Sequence, residues 1–130
     1  MHIETSKKTV NRSAKEVFEF LSHIKNFEKL MPENIQKFEV LDETTFRFAL
    51  SGMPEIVLRK KEEFPYHKII LGAASSKLSF SLICAIEELS TTQCDTQLSF
   101  QGKFNAMMAM MIKGPITNFI NTLSDNLAEI

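Results

Sequence analysis

The sequence predicts an α+β fold in which a curved antiparallel sheet of about seven strands wraps around a long C-terminal helix. Between residues 35 and 104, apolar and polar residues alternate with the period of a β-strand. Between residues 104 and 130, apolar residues instead recur at the spacing of an amphipathic helix. The order of elements that follows is one strand, two short helices, six strands and the long helix.

Length and composition are those of a single globular domain covering residues 1–130. The chain has 130 residues, of which 44% are hydrophobic and 24% charged, and its net charge is −1. Nucleic acid is not an expected partner, because the charge is near neutral and no basic stripe is present. No apolar run approaches the roughly 20 residues that span a bilayer, and the N-terminus lacks the apolar segment of a secretory signal. We therefore expect a cytoplasmic protein without stable membrane insertion.

The first elements are predicted from residue type and from one capping motif. Residues 3–10 are rich in Ile, Thr and Val, which favours a first strand. Ser13 and Glu16 have the spacing of a capping box, in which each side chain accepts a hydrogen bond from the other residue's backbone N–H. The first helix is therefore predicted to begin just after Ser13.

A second short helix is expected before the sheet begins. Asn26 is the residue type that caps a helix start, and Phe27, Leu30 and Met31 follow at helical spacing. Pro32 then ends the helix. These three apolar side chains are expected to face the interior.

The register of the first hairpin follows from parity. If residues 42–44 form the loop, Val40 pairs with Phe46 and Phe38 pairs with Phe48, so that the phenylalanines share one face. A slip of one residue would move all of them into water. The register is therefore well specified.

The same reasoning applies to the last hairpin and decides the state of the cysteines. A loop at residues 90–92 pairs Leu82 with Phe100 and Cys84 with Leu98. Cys94 then lies much farther along the ladder from Cys84 than the roughly 7 Å between Cα atoms that a disulfide permits. Both thiols are predicted to be free.

The early segments and the element order resemble the START-like, or SRPBCC, superfamily. The resemblance rests on VNRSAKEVFEFL at residues 10–21 and on FEKLMP at residues 27–32. It covers essentially the whole chain, and relatives include birch-pollen-allergen proteins and polyketide cyclase/dehydrase-like proteins. It implies a helix-grip fold with a deep apolar cavity between sheet and C-terminal helix. Residues 42–44 contain no glycine, whereas some plant relatives carry a glycine-rich loop there, so the chain departs from that subgroup.

The function that this implies is the binding of a small hydrophobic or amphipathic molecule in the cavity, without catalysis. No His, Asp or Glu cluster has metal-ligand spacing, and no cofactor is expected. Methionine side chains are flexible and suit an adaptable apolar pocket. The residues predicted to line the ligand site are Phe27, Leu30, Met31, Phe46, Phe48, Leu58, Phe80, Leu82, Phe100, Met107, Met108 and Met111.

The long helix is expected to kink at Gly114 and Pro115. Its apolar stripe changes phase there, and a proline inside a helix removes one backbone hydrogen bond. The segment from 104 to 112 is then where a ligand would bind, and the segment from 116 to 127 is the part gripped by the sheet. Met110 lies off the stripe and is predicted to be exposed or buried in a self-association surface, such as a homodimer interface.

Two other functions remain open from the sequence. A cyclase- or dehydratase-like enzyme would use His23, Tyr66 or His67 to carry a proton. A protein-interaction module would use the helix-grip surface instead. Lys60 and Glu62 could hold the polar head of an amphipathic ligand, although a strand that enters solvent at this point is the interpretation we favour.

Overall fold

The computed structural model describes residues 1–51, 53, 55–74 and 79–130, and within these ranges it contains eight strands, two α-helices and one 3₁₀ helix. The strands are β1 (His2–Glu4), β2 (Lys8–Val10), β3 (Lys37–Asp42), β4 (Thr45–Ala49), β5 (Ile56–Phe64), β6 (Lys68–Ala73), β7 (Ser79–Glu88) and β8 (Cys94–Lys103). The helices are α1 (Ala14–Ser22), the 3₁₀ helix (Ile24–Leu30) and α2 (Ala106–Leu127).

All strands belong to one antiparallel sheet. Its order is β1-β8-β7-β6-β5-β4-β3, and β2 pairs with β8 beside β1. The sheet curves around α2, so the predicted α+β helix-grip fold is confirmed. The strand number is eight rather than about seven, because the predicted first strand is divided in two.

A bulge divides that first strand. The registers of β1 and β2 against β8 differ by one residue, so the chain between them has one residue more than the facing strand. Thr5 lies in this bulge, where its N–H donates to the Leu98 carbonyl at 2.9 Å and its Oγ1 accepts from the Leu98 N–H at 3.1 Å. The extra residue reverses the alternation, so that Ile3 and Val10 are both buried.

Both predicted hairpin registers are confirmed. The observed pairs are Phe38 with Phe48, Val40 with Phe46, Leu82 with Phe100 and Cys84 with Leu98. Both cysteines are free and buried, as predicted.

The capping box of α1 is also confirmed. Ser13 Oγ accepts from the Glu16 N–H at 3.1 Å, and the Glu16 carboxylate accepts from the Ser13 N–H at 3.3 Å. The predicted cap at Asn26 is wrong, because His23 occupies the residue before the 3₁₀ helix. The Asn26 side chain instead donates to the Phe20 carbonyl at 2.9 Å and so fixes the bend between the two helices.

Helix α2 begins after Asn105, whose side chain accepts from the Met108 N–H at 2.8 Å. It continues through Pro115 to Leu127 without a break, so the kink predicted at Gly114 and Pro115 does not interrupt the helix and stays a prediction. Ile112 and Ile116 are buried on either side of the proline. This packing holds the helical backbone together although Pro115 cannot donate to the Met111 carbonyl.

Stacked phenylalanines fill the interior at the β3–β4 end of the sheet. Phe46 stacks on Phe27 and Phe38, with ring centroids 5.3 Å and 5.4 Å apart. Phe48 stacks on Phe119 of α2 at 4.9 Å. Helix α2 is therefore attached to the sheet mainly by its second half, whose buried residues after the proline are Ile116, Phe119, Ile120, Leu123, Ser124 and Leu127.

Candidate functional site

A small gap remains between the sheet and the first half of α2, and we call it the α2 gap. Its volume is about 30 Å³, which is room for about one water molecule, so this gap is not the deep apolar cavity that was expected between the sheet and the C-terminal helix. Apart from one carboxylate its wall is apolar. The lining residues are Met53, Glu55, Ile56, Phe80, Phe100, Phe104, Met108, Ile112 and Ile116.

Three phenylalanines form one side of the α2 gap. Phe100 stacks on Phe80 at 5.3 Å and on Phe104 at 6.1 Å between ring centroids. Phe104 belongs to the loop before α2, and its ring lies across Gly102, where a Cβ atom would overlap it. Because Gly102 has no side chain, the Phe104 ring packs against the end of β8, and this brings the beginning of α2 close to that strand.

The roof of the α2 gap is weakly attached. Within residues 106–111, all of which the structure describes, no side chain is buried, and Met108 is the half-buried member that lines the gap. From Ile112 onward the helix is anchored in the core. We call residues 106–111 the roof segment. Local stability is lowest where few apolar contacts are buried, so this segment is the part of α2 that can move most easily.

Gly114 and Pro115 follow Ile112 in the sequence, so a pivot at these two residues displaces the roof segment together with the buried Ile112. Pro115 has no N–H, so the helical bond to the Met111 carbonyl cannot form. Gly114 is exposed, and a Cβ atom placed on it would have no described atom within 4 Å apart from its chain neighbours and the helix's own backbone. With one helical hydrogen bond missing, Gly114 and Pro115 are where α2 would bend if the roof segment moved.

The charged group at the α2 gap is already paired. Glu55 lies 3.4 Å from Lys37 Nζ through one carboxylate oxygen and 3.4 Å from Arg47 Nε through the other. Arg47 also forms an ion pair with Glu39. Glu55 is therefore a hydrogen-bonding group at the rim of the gap whose charge is already balanced by Lys37 and Arg47.

A second cleft lies beside Gly114 and Pro115, and we call it the hinge cleft. Its volume is about 460 Å³ and it opens to solvent. Phe119, which stacks on Phe48, contributes to its wall. Among the described residues that line it, none is charged. They are Pro32, Asn34, Leu50, Ser51, Gly114, Pro115, Asn118, Phe119 and Thr122.

The structure separates the predicted ligand residues into three groups. Those that line the α2 gap are Phe80, Phe100 and Met108. Those packed in the filled core are Phe27, Leu30, Met31, Phe46, Phe48, Leu58 and Leu82. Sequence reasoning did not include Met53, Glu55, Ile56 and Ile116 in the site. The pairing of Ile56 with Phe48 could have indicated Ile56, because paired residues share a face.

Met107 and Met111 form the third group, and the prediction that they face the interior is wrong. Their side chains are 75% and 61% exposed. The buried face of α2 is set by Ile112 and Ile116, and Met111 lies about 100° away from Ile112 on the helix. Met110 is 83% exposed, which confirms that it lies off the buried stripe.

The groups proposed for proton transfer lie away from the gap. His23, Tyr66 and His67 are all exposed to solvent. Tyr66 packs edge-on against Phe18 in the turn before β6, with ring centroids 5.6 Å apart. The enzymatic hypothesis required one of these side chains to point inward, and the structure provides none of the three in that position.

Lys60 does not reach the α2 gap either. A bulge between Lys60 and Glu62 shifts the register of β5 against β6. Lys60 Nζ donates to the Ser22 carbonyl at the end of α1, at 3.0 Å, and forms an ion pair with Glu63. The lysine thus stabilises the C-terminus of a helix, where a cation is favourable, and Glu62 is exposed.

Three further results concern the described part of the chain. No group of three or more His, Cys, Asp or Glu side chains within it could hold a metal ion. None of the helices within it is long and apolar enough to span a membrane. Burial raises the pKa of the Cys84 thiol to about 12, so Cys84 remains protonated and unreactive at neutral pH.

Sheet, helix and gap together form a helix-grip fold. No protein-family model and no curated protein sequence matches the chain. Solved structures do match, at identities that show the fold alone. Norcoclaurine synthase from Thalictrum flavum, solved with dopamine and hydroxybenzaldehyde, has a TM-score of 0.77 and 12% identity, and the match covers 99% of this chain and 84% of that one.

Two other solved structures have the same fold. The Zhui aromatase/cyclase from Streptomyces sp. R1128 has a TM-score of 0.76 and 14% identity, over 99% of this chain and 92% of that chain. A START superfamily protein from Mycobacterium smegmatis has a TM-score of 0.68 and 10% identity, over 98% and 97% of the two chains.

Proposed function

We propose that this protein binds a small hydrophobic or amphipathic molecule between the sheet and the roof segment of α2. One observation carries the proposal: an apolar gap lies beneath α2 where the roof segment meets Ile112 and Ile116, next to Gly114 and Pro115. Apolar walls with few polar groups are typical of ligand sites. The gap and the movable roof occur at the same place.

Binding requires the roof segment to move. A drug-sized ligand occupies a pocket of about 300 Å³ or more, and the α2 gap is about 30 Å³. Movement about Gly114 and Pro115 exposes the half-buried Met108 and the buried Ile112. Exposing these two side chains costs about 3–5 kcal/mol. An open state at that energy is populated at about 0.02–0.6%, and the ligand's preference for the open state must supply this free energy.

The chemistry of the wall favours a flat apolar ligand with a polar end. Phe80, Phe100 and Phe104 offer aromatic faces, on which another ring can stack. Glu55 at the rim accepts hydrogen bonds. The complex of norcoclaurine synthase with dopamine and hydroxybenzaldehyde supports this inference, because a protein of the same fold accommodates small aromatic molecules.

The binding experiment compares two neighbouring methionines. Wild-type protein is titrated with the apolar fluorophore N-phenylnaphthylamine, and small aromatic and fatty compounds are then tested as competitors. Met108→Arg places a charge at the α2 gap. Met110→Arg places the same charge in solvent on the opposite side of the helix. We expect Met108→Arg to weaken binding about tenfold or more and Met110→Arg to leave it nearly unchanged.

Two outcomes would overturn the proposal. One is the absence of any saturable fluorophore binding by the folded wild-type protein. The other is equal weakening by Met108→Arg and Met110→Arg, which would place the fluorophore on the surface. Circular dichroism of each variant establishes that the fold is retained.

A further inference from the structure

The outward face of α2 changes its chemistry at Gly114. Before it, Met107, Met110 and Met111 lie within an arc of about 100° and are the most exposed large apolar side chains of the described chain. After it, the outward residues are polar, among them Asn118 and Asn121. We call Met107, Met110 and Met111 the methionine face. Apolar residues clustered on one face indicate an interaction surface, whereas scattered ones are ordinary.

The charged residues that flank the methionine face in the sequence have one sign. From residue 96 to residue 124 the sequence contains no Asp or Glu, and its charged residues are Lys103 and Lys113. Both lysines are exposed. Among the described residues, no ion pair includes either of them. Glu55, which lines the gap nearby, is paired with Lys37 and Arg47. An apolar patch flanked by unpaired cations is complementary to an apolar surface that carries negative charge.

We propose that the methionine face docks reversibly on an anionic lipid surface. The three thioether side chains enter the boundary between headgroups and acyl chains, and Lys103 and Lys113 pair with lipid phosphates. Methionine suits this contact because its flexible side chain adapts to a disordered environment. The surface is separate from the α2 gap, so docking does not require an interior ligand.

A second copy of the chain fits this surface less well. A stable dimer interface uses about 20–30 residues on each side, far more than this face provides. A two-fold dimer through the same face would also bring its lysines near the partner's lysines, because both sides of such an interface are identical. No carboxylate in residues 96–124 would offset that repulsion.

Vesicle flotation tests the proposal on the complete protein. Vesicles of phosphatidylcholine alone are compared with vesicles that contain phosphatidylcholine and phosphatidylglycerol in equal parts. We expect wild-type protein to float with the anionic vesicles, to remain in solution with the neutral ones, and to be released by high salt. The triple variant Met107→Gln, Met110→Gln and Met111→Gln should lose at least most of this binding, since it removes the exposed apolar area.

Matched lysine variants separate this face from general electrostatic attraction. Lys103→Gln with Lys113→Gln should reduce binding several-fold. Lys15→Gln with Lys25→Gln removes the same charge from exposed positions of α1 and the 3₁₀ helix and should leave binding nearly unchanged. All of these side chains are exposed, and thermal denaturation confirms that each variant is folded.

Three results would overturn the proposal. Wild-type protein that binds neither kind of vesicle would do so. Equal loss of binding in the two lysine pairs would show that net charge alone is responsible. A concentration-dependent dimer that the triple methionine variant abolishes, without any vesicle binding, would assign the face to self-association instead.

Discussion

The aromatic ring of Phe104 lies directly across the α-carbon of Gly102. A Cβ atom at residue 102 would overlap that ring, and it would also lie 3.0 Å from Phe80 Cβ. Phe104 stacks on Phe100 of β8 and precedes the roof segment. The absence of a side chain at this glycine therefore determines how closely the beginning of α2 approaches the end of the sheet.

Replacing Gly102 by Ala should displace Phe104 and destabilise the protein. Overpacking of this kind costs about 1–3 kcal/mol, which denaturant unfolding would measure. Gly114→Ala is the matched control: no described atom beyond the local chain lies near its Cβ position, so it should stabilise α2 by up to about 1 kcal/mol. If the two substitutions had effects of the same sign and size, the proposed contact between Gly102 and Phe104 would be unimportant.

The hinge should respond to Pro115→Ala. This change allows a helical hydrogen bond to the Met111 carbonyl and removes the crowding by the proline ring. We expect amide exchange of the roof segment to become slower, together with slower association of a gap-binding fluorophore. Asn121→Ala, an exposed position on the same helix, should change neither quantity. Unaltered exchange in Pro115→Ala would show that the roof does not pivot at this proline.

Cys84 should be unreactive in the folded protein. Burial raises its pKa from 9.0 to about 12, so the folded state keeps the thiol protonated where the unfolded state would lose its proton. Its contribution to stability is fully present below pH 9.0 and is lost as the pH rises toward about 12. Cys84→Ala should therefore flatten the alkaline decline in stability, measured by urea unfolding across this pH range. Rapid labelling of Cys84 by a thiol reagent in native conditions would contradict its burial.

The capping box should contribute measurably to the stability of α1. Ser13→Ala removes the acceptor for the Glu16 N–H and should cost about 1 kcal/mol in the free energy of unfolding.

The pKa of Glu16 is lowered chiefly by its hydrogen bond from the Ser13 N–H. The contribution of the Glu16 carboxylate to stability is therefore present above its unfolded pKa and is lost as the pH falls through its folded pKa. NMR titration of Glu16 in wild-type protein and in Glu19→Gln, a neighbouring exposed carboxylate variant, would measure this. An unshifted Glu16 pKa would show that the hydrogen bonds between Ser13 and Glu16 are not formed in solution.

The fold could be predicted because its main signals are local. Alternation along the strands, the Ser13–Glu16 spacing and the three-residue hairpin loops each depend on a few neighbouring residues. Those signals determined the α+β class, both hairpin registers and the free thiols. The division of the first strand was not predicted, because a bulge at Thr5 reverses the alternation and is stabilised by bonds to Leu98, which is distant in sequence.

The site was harder to predict because it depends on how α2 is rotated against the sheet. Four methionines in residues 107–111 give the roof segment no polar face to orient it. Ile112, Ile116 and Phe119 determine the rotation through the packing of the following turns, which leaves Met107 and Met111 in solvent. The size of the gap likewise depends on side-chain packing. A stack of phenylalanine rings fills most of the cavity that was expected from the sequence, and its members are Phe27, Phe38, Phe46, Phe48 and Phe119.

The sequence by itself determined that a sheet would hold this helix, because periodicity is a property of the chain, and the kink that proline chemistry predicts at Gly114 and Pro115 stays a prediction. Only the tertiary structure decided that the helix stays continuous through Pro115, that the interior is nearly full, and that methionines lie outside. Those outcomes depend on contacts between residues far apart in sequence, and such contacts exist only when every element is packed.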